Sequence, residues 1–377
     1  MKKKETITCI SKREMRSSKI AVLTFGLLYA LITVLCFAKS DSEYSISERR
    51  KLKQMPDFSW EALGNGDYIK DMEEYVVDQF PARDWFRSVK NYFSLGVMQK
   101  QDTNGICVKD GYLCEMEYPI NEDSIDRAAD IFEKIYMENI QGTNAKMYLS
   151  IVPDKNYFFK DNNSVLSMDY DMFFEKLYDS TPFLQPIDVT ETLELKDYYR
   201  TDSHWKQECI IDTATVLAEK MDVPFINDFM ITSVETPFYG VYYGQAGIRT
   251  APDEIRYCTG STIADCRVYD YENNKEISLY DVNKAGGRDP YELFLGGNVS
   301  LVTIENEKAL SSKELVVFGD SFSRSLIPLL AGSYQKITVM DIRYLPSAYV
   351  EKYIDFTDQD VLFLYSVSVL NNSITLK

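Results

Sequence analysis

Two short stretches hold the residue types that could do chemistry together. Val316 to Ser325, VVFGDSFSRS, runs apolar residues into Gly319-Asp320-Ser321 and resumes with polar, helix-compatible residues. A serine hydroxyl is a poor nucleophile at neutral pH until a base takes its proton, and histidine is the commonest base. The chain has 1 histidine, His204, in YYRTDSHWK, with Asp202 two positions before it. Any serine, histidine and acid triad here must use His204 and must join residues far apart in sequence.

Taken singly, each stretch has a plainer reading. Gly-Asp-Ser equally describes a helix-capping turn, and a lone histidine equally describes a cap or a partly buried hydrogen bonder. An acid two positions before a histidine reaches Nδ1 only where the backbone bends, leaving Nε2 free to face the serine. The surrounding elements add weight. Short apolar runs at 145–152, 183–189, 314–318, 336–340 and 360–365 read as buried strands. They alternate with helical patterns at 124–140, 169–178, 206–221 and 323–330. That alternation predicts an α/β fold, a mainly parallel sheet flanked by helices. Ligands in such sheets bind at the carboxyl ends of strands. Ser321 and the Asp202–His204 stretch each follow a predicted strand and precede a helix. The G-x-S-x-G elbow of α/β-hydrolases is absent, so the serine turn is of another kind.

The N-terminus is a separate block. Lys2, Lys3, Lys4, Lys12, Arg13, Arg16 and Lys19 precede an uncharged apolar run, 20–38, long enough to span a membrane as one helix. The basic flank places residues 1–19 in the cytoplasm as a tail. The expectation is an uncleaved anchor at 20–38, a polar tether at 39–59 and an extracytoplasmic domain at 60–377. The competing reading is a signal peptide, against which stand the length of the apolar run and the lack of an Ala-x-Ala site. Helical spacing from about Trp60 to Leu95 is interrupted at Phe80-Pro81. A stretch rich in Tyr, Gly and Asn at about 222–310 reads as an irregular insertion.

The net charge of −17 opposes sequence-independent nucleic-acid binding, which needs Lys and Arg to neutralise phosphates. Of 7 cysteines, Cys9 and Cys36 lie in the tail and anchor, leaving Cys107, Cys114, Cys209, Cys258 and Cys266. CVKDGYLC reads as a hairpin whose Asp110-Gly111 turn brings Cys107 and Cys114 together, and Cys258 with Cys266 is a second candidate pair. The remaining number is odd, so one thiol at least lacks an intrachain partner, and the spacing fits no common zinc pattern.

Gly319-Asp320-Ser321-Phe322-Ser323 resembles the serine block of SGNH hydrolases. Thr201-Asp202-Ser203-His204-Trp205 resembles the Asp-x-His-Trp block of alginate O-acetyltransferase-like proteins, and the two blocks together resemble the bacterial DHHW family. DQFPARD at 78–84, NGICVKDGYL at 104–113, VPDK at 152–155 and DPYELFLGGN at 289–298 belong to the same resemblance. The Asp/His block precedes the serine block, the reverse of ordinary SGNH hydrolases, which implies an SGNH-like sheet with circularly permuted motif order.

The resemblance implies Ser321 as nucleophile, His204 as base and Asp202 as its orienting acid. For an oxyanion it implies the Ser321 backbone and Asn298, in Gly296-Gly297-Asn298, although the usual Gly-x-Asn-Asp block is not present in that form. Arg324 and Tyr344 are cleft candidates, with core or surface roles as the alternative, and Trp205 either lines a sugar site or packs. The implied activity is O-acetyl transfer to an extracytoplasmic polysaccharide without a cofactor; an acetylesterase or a non-catalytic glycan-binding or assembly protein are the alternatives. Acetyl-coenzyme A is cytoplasmic and one apolar span forms no transport path, so a membrane-bound O-acyltransferase is the implied acyl-donor partner.

Overall fold

The computed structural model describes residues 12–45, 47–161 and 165–377. The first part of the expected basic tail, with Lys2, Lys3, Lys4 and Cys9, lies outside them. The chain divides into two compact units, Met1–Lys90 and Asn91–Lys377.

In the first unit, the helix Lys12–Ala38 contains one stretch, Arg16–Cys36, long and apolar enough to cross a membrane. A pair of two-residue strands, Tyr44–Ser45 and Arg50–Lys51, follows. Ser59 caps the helix Trp60–Asn65 by accepting from Ala62 N, and Gly66, at φ 89°, turns the chain into the helix Asp67–Asp78. The break expected at Phe80-Pro81 is present: the next helix starts only at Arg83. Asp78 accepts from Arg50 Nη1 and Nη2 at 2.8 and 2.5 Å and from Lys53 N at 2.9 Å. The hydrogen bonds from the Arg50 guanidinium hold its carboxyl down to about 2.

The second unit is built on an eight-stranded sheet. Its strands are β1 (Lys146–Val152), β2 (Gln185–Pro186), β3 (Arg267–Asp270), β4 (Lys275–Ile277), β5 (Leu301–Glu305), β6 (Glu314–Gly319), β7 (Lys336–Met340) and β8 (Asp360–Ser366), in the order β4-β3-β5-β7-β6-β8-β1-β2. The run β7-β6-β8-β1-β2 is parallel, and β5, β3 and β4 extend it antiparallel. Side chains alternate between two faces, as the pleat requires. Leu315, Val317, Leu362 and Leu364 pack with Leu217 and Leu326 on one face. Val316, Phe318, Phe363 and Tyr365 pack with Phe132 and Phe173 on the other. Burial on both faces is why these strands read as continuous apolar runs.

Three expectations change in detail. The strand read at 183–189 forms ladder pairs only at Gln185 and Pro186, because it is an edge strand and Pro186 has no N–H to give. The helix read at 206–221 is a 3₁₀ turn, Gln207–Cys209, followed by the α-helix Ile211–Lys220. Gln207 points inward there, donating to Ser325 O at 2.6 Å and accepting from Cys258 N at 2.7 Å. The stretch 222–310 is not an irregular insertion throughout. It supplies β3, β4 and β5 to the main sheet and a separate hairpin of Met230–Phe238 with Asp253–Thr259.

Candidate active site

β6 ends at Gly319, and the helix Ser323–Leu330 begins four residues later, with Ser321 in the turn between them. Asp320 secures that turn. Its carboxylate accepts from Phe322 N at 3.0 Å and from both the N–H and the hydroxyl of Ser366 at 2.8 and 2.6 Å, tying the turn to the end of β8. The Ser321 amide is left without a hydrogen-bond acceptor among the described residues, so it can donate to an oxyanion.

His204 does not stand directly at a strand end. It lies in a loop closed by the Tyr198–Trp205 bridge, and Tyr199 N donates to His204 O at 3.0 Å. The loop places His204 Nε2 2.7 Å from Ser321 Oγ and Nδ1 2.6 Å from Asp202 Oδ1. A carboxylate only accepts, so the ring proton sits on Nδ1 and Nε2 is free to accept from the serine. Asp202 also accepts from Val241 N at 2.8 Å on Oδ2 and from His204 N at 3.2 Å on Oδ1. Its side chain is 1% exposed, against 13% for His204.

Several supports were not visible in the sequence. The Tyr291 ring stacks on the imidazole at 3.9 Å and 11°, and its hydroxyl hydrogen-bonds Ser325 Oγ at 2.7 Å. Stacking fixes the ring plane, and the negative face of the phenol favours an imidazolium when one forms. Thr201 is held by Asp253, which accepts from its N–H at 2.8 Å and its hydroxyl at 2.6 Å. Gly240 lies so near the loop that a Cβ there would sit 2.3 Å from Asp202 Cβ. Only glycine fits that position.

Lys155, in VPDK, is 2% exposed and donates to Tyr199 O at 2.9 Å and Arg200 O at 3.4 Å, just before the triad loop. Burial pulls its ammonium down from 10.5 to about 8. Between those values the unfolded chain holds a proton that the folded chain has lost, so this group's contribution to stability rises with pH across the window. Urea unfolding of the wild type and Lys155→Met should show the stability difference shifting toward the wild type by roughly 2 kcal/mol between about pH 7.5 and 9.5. A difference flat with pH would refute the assignment.

Among the described residues, none of the other expected site residues makes a side-chain hydrogen bond to Ser321. Trp205 is fully buried, and its N–H donates to Ser325 Oγ at 2.8 Å. It packs and presents no face to a sugar. Arg324 is 2% exposed, donates from Nη2 to Val299 O, and has no partner for Nη1 among the described residues; burial lowers its pKa. That is a core position and not the wall of an open cleft. Tyr344 is 51% exposed beside Arg343, and Asn298 is exposed next to the Gly296-Gly297 turn. Gly296 and Gly297 have φ of 73° and 79°, a conformation that favours glycine. A groove of about 660 Å³, lined by Tyr112, Lys196, Arg200, Lys206, Glu208 and Arg256 among others, contains none of the triad. No group of metal-ligating side chains occurs among the described residues.

Ser321, His204 and Asp202 are thus hydrogen-bonded in line just beyond the end of a central parallel strand, in a mixed α/β unit with a large, mostly parallel sheet. The same fold occurs in a DHHW family protein from Eubacterium siraeum, at TM-score 0.59 and 20% identity, covering 71% of this chain and 93% of that one. It occurs also in Bacillus cereus PatB1 with a sulfonyl adduct, at TM-score 0.56 and 18% identity, covering 70% and 95%. The O-acetyltransferase domain of Pseudomonas putida AlgJ aligns at TM-score 0.44 and 13% identity over 71% and 92%. No family model and no curated protein sequence matches this chain.

Proposed function

We propose that the chain is a membrane-anchored, extracytoplasmic O-acetyltransferase of the SGNH-like type, acting on a cell-surface or secreted polysaccharide. The observation that carries this reading is the relay from Asp202 through His204 to Ser321, at 2.6 and 2.7 Å. The fold shared with the DHHW family protein and the sequence resemblance to alginate O-acetyltransferase-like proteins support it.

Ser321 Oγ attacks the acyl carbonyl while His204 Nε2 takes its proton, and Asp202 steadies the resulting imidazolium. The Ser321 N–H faces the oxyanion of the tetrahedral intermediate. Collapse returns the proton to the leaving group and leaves acetyl-Ser321. A sugar hydroxyl, deprotonated by His204, then takes the acetyl group and frees the serine. The helix Lys12–Ala38 holds the domain at the membrane, near a membrane-bound O-acyltransferase that delivers the acyl group, and so raises their effective concentration.

The test is mass spectrometry of the purified chain after a chromogenic acetyl ester, with candidate oligosaccharides added as acceptors. A +acetyl adduct on Ser321 and acetylated oligosaccharide are expected. Acetate release alone, with every acceptor present, would make the chain an esterase. Neither adduct nor turnover would leave a non-catalytic glycan-binding protein.

A further inference from the structure

The hairpin Ile106–Lys109 and Tyr112–Glu115 turns through Asp110 and Gly111, at φ 50° and 82°, and pairs Cys107 directly opposite Cys114. Directly opposed residues of an antiparallel pair share one face, with Cα atoms about 4.5–5.5 Å apart. A disulfide spans Cα separations of about 4.4–6.8 Å. Both side chains are thiols here, and both are buried, at 4% and 0% exposure. The hairpin also braces the triad loop: Leu113 N donates to Arg200 O at 2.8 Å, the carbonyl that Lys155 also reaches.

We propose that Cys107 and Cys114 are a disulfide-forming pair, closed when the chain meets an oxidising compartment, and that the bond staples the hairpin that supports the triad loop. The part concerning the compartment rests on the extracytoplasmic reading above. The oxidant is a protein or small-molecule disulfide. The Cys107 thiolate attacks one of its sulfurs and expels the other as a thiolate. Cys114 then attacks the Cys107 sulfur of the mixed disulfide and releases the second thiolate. The two cysteine sulfurs are oxidised, the oxidant's two sulfurs are reduced, and the two thiol protons end on them. Cys107 is the more exposed of the two, at 4% against 0%, so it is the sulfur that meets the oxidant first. With so little exposure, closure precedes final packing of the hairpin or needs it to open.

Trypsin cuts after Lys100, Lys109 and Arg127, so the two cysteines fall in separate peptides, 101–109 and 110–127. The full chain in detergent is equilibrated with oxidised glutathione, quenched with a maleimide, denatured in its presence and digested without reductant. The expected product is the two peptides joined, separating on addition of dithiothreitol. Two separate maleimide-bearing peptides, or either cysteine joined instead to Cys209, Cys258 or Cys266, would overturn the pairing. In the double variant Cys107→Ser, Cys114→Ser, Tm should fall a few degrees below that of the oxidised wild type and match the reduced wild type. Quenching intact cells gives the second arm. A joined pair there supports the oxidising location. Free thiols there, beside a joined pair in the purified chain, would count against the location and leave the pairing standing.

Discussion

Ser321→Ala is expected to lower turnover of an acetyl ester by about 10⁴-fold or more and to leave the fold intact. Removing the nucleophile of a working relay removes the covalent route and leaves only what binding and the oxyanion donor supply. The serine lies in a partly exposed turn, its hydroxyl meets His204 at 2.7 Å, and the turn itself is held by Asp320 and not by Oγ. The change in unfolding free energy should therefore stay within about 0.5 kcal/mol. His204→Ala should cost a similar factor, because the 1 histidine of the chain has no substitute. Residues acting as one unit are non-additive, so the double variant should be no slower than the slower single variant. Rates that multiply across the two variants, or a Ser321→Ala protein with wild-type turnover, would show that the serine and histidine do not act together.

What the sequence made legible follows from local causes. The turn at Ser321 shows because four apolar residues of β6 are buried on both faces and then stop at Gly-Asp-Ser. His204 shows because elimination leaves no other base. The Asp110-Gly111 turn shows because a two-residue hairpin needs positive φ, and both residues have it. The supports of the site come from elsewhere in the chain and leave no local signal. Tyr291 looks like one tyrosine among 27 until the fold lays it on the imidazole. Gly240 looks like a loop glycine until Asp202 is packed against it. Lys155 belongs to the VPDK stretch after a strand, and only the fold shows it buried against two backbone carbonyls. Trp205 beside a candidate catalytic histidine invites a sugar-stacking role, and only the three-dimensional contacts show its N–H spent on Ser325. β3 was hidden because its buried face is carried by Asp270 as well as by Val268, so Asp270 is buried at 1% where a loop residue was expected.

Asp202→Asn should be nearly as damaging as loss of the serine, for a reason found in the donors around it. Val241 N–H points at one carboxylate oxygen, and the Nδ1–H and N–H of His204 point at the other. A carboxylate accepts at both ends, whereas an amide accepts at one and donates at the other. If the asparagine turns its oxygen to Val241, its NH₂ faces Nδ1. The imidazole then moves its proton to Nε2, which becomes a donor toward Ser321 and no longer a base. If it turns its oxygen to the histidine, the tautomer is kept, but its NH₂ faces Val241 N–H and the positive imidazolium loses its counter-charge. Either arrangement removes transition-state stabilisation, and the expected loss is about 10⁴-fold in kcat for the wrong-tautomer arrangement. Because the Asp202 side chain is only 1% exposed, with its oxygens turned to His204 and Val241, KM should change little. Folding should suffer as well, by about 1–3 kcal/mol, since one donor at a buried site is left facing another. Steady-state kinetics on an acetyl ester, with urea unfolding of the same preparation, reads both effects. A kcat within tenfold of wild type would mean that Asp202 orders the loop through Val241 and has no part in setting the histidine's proton.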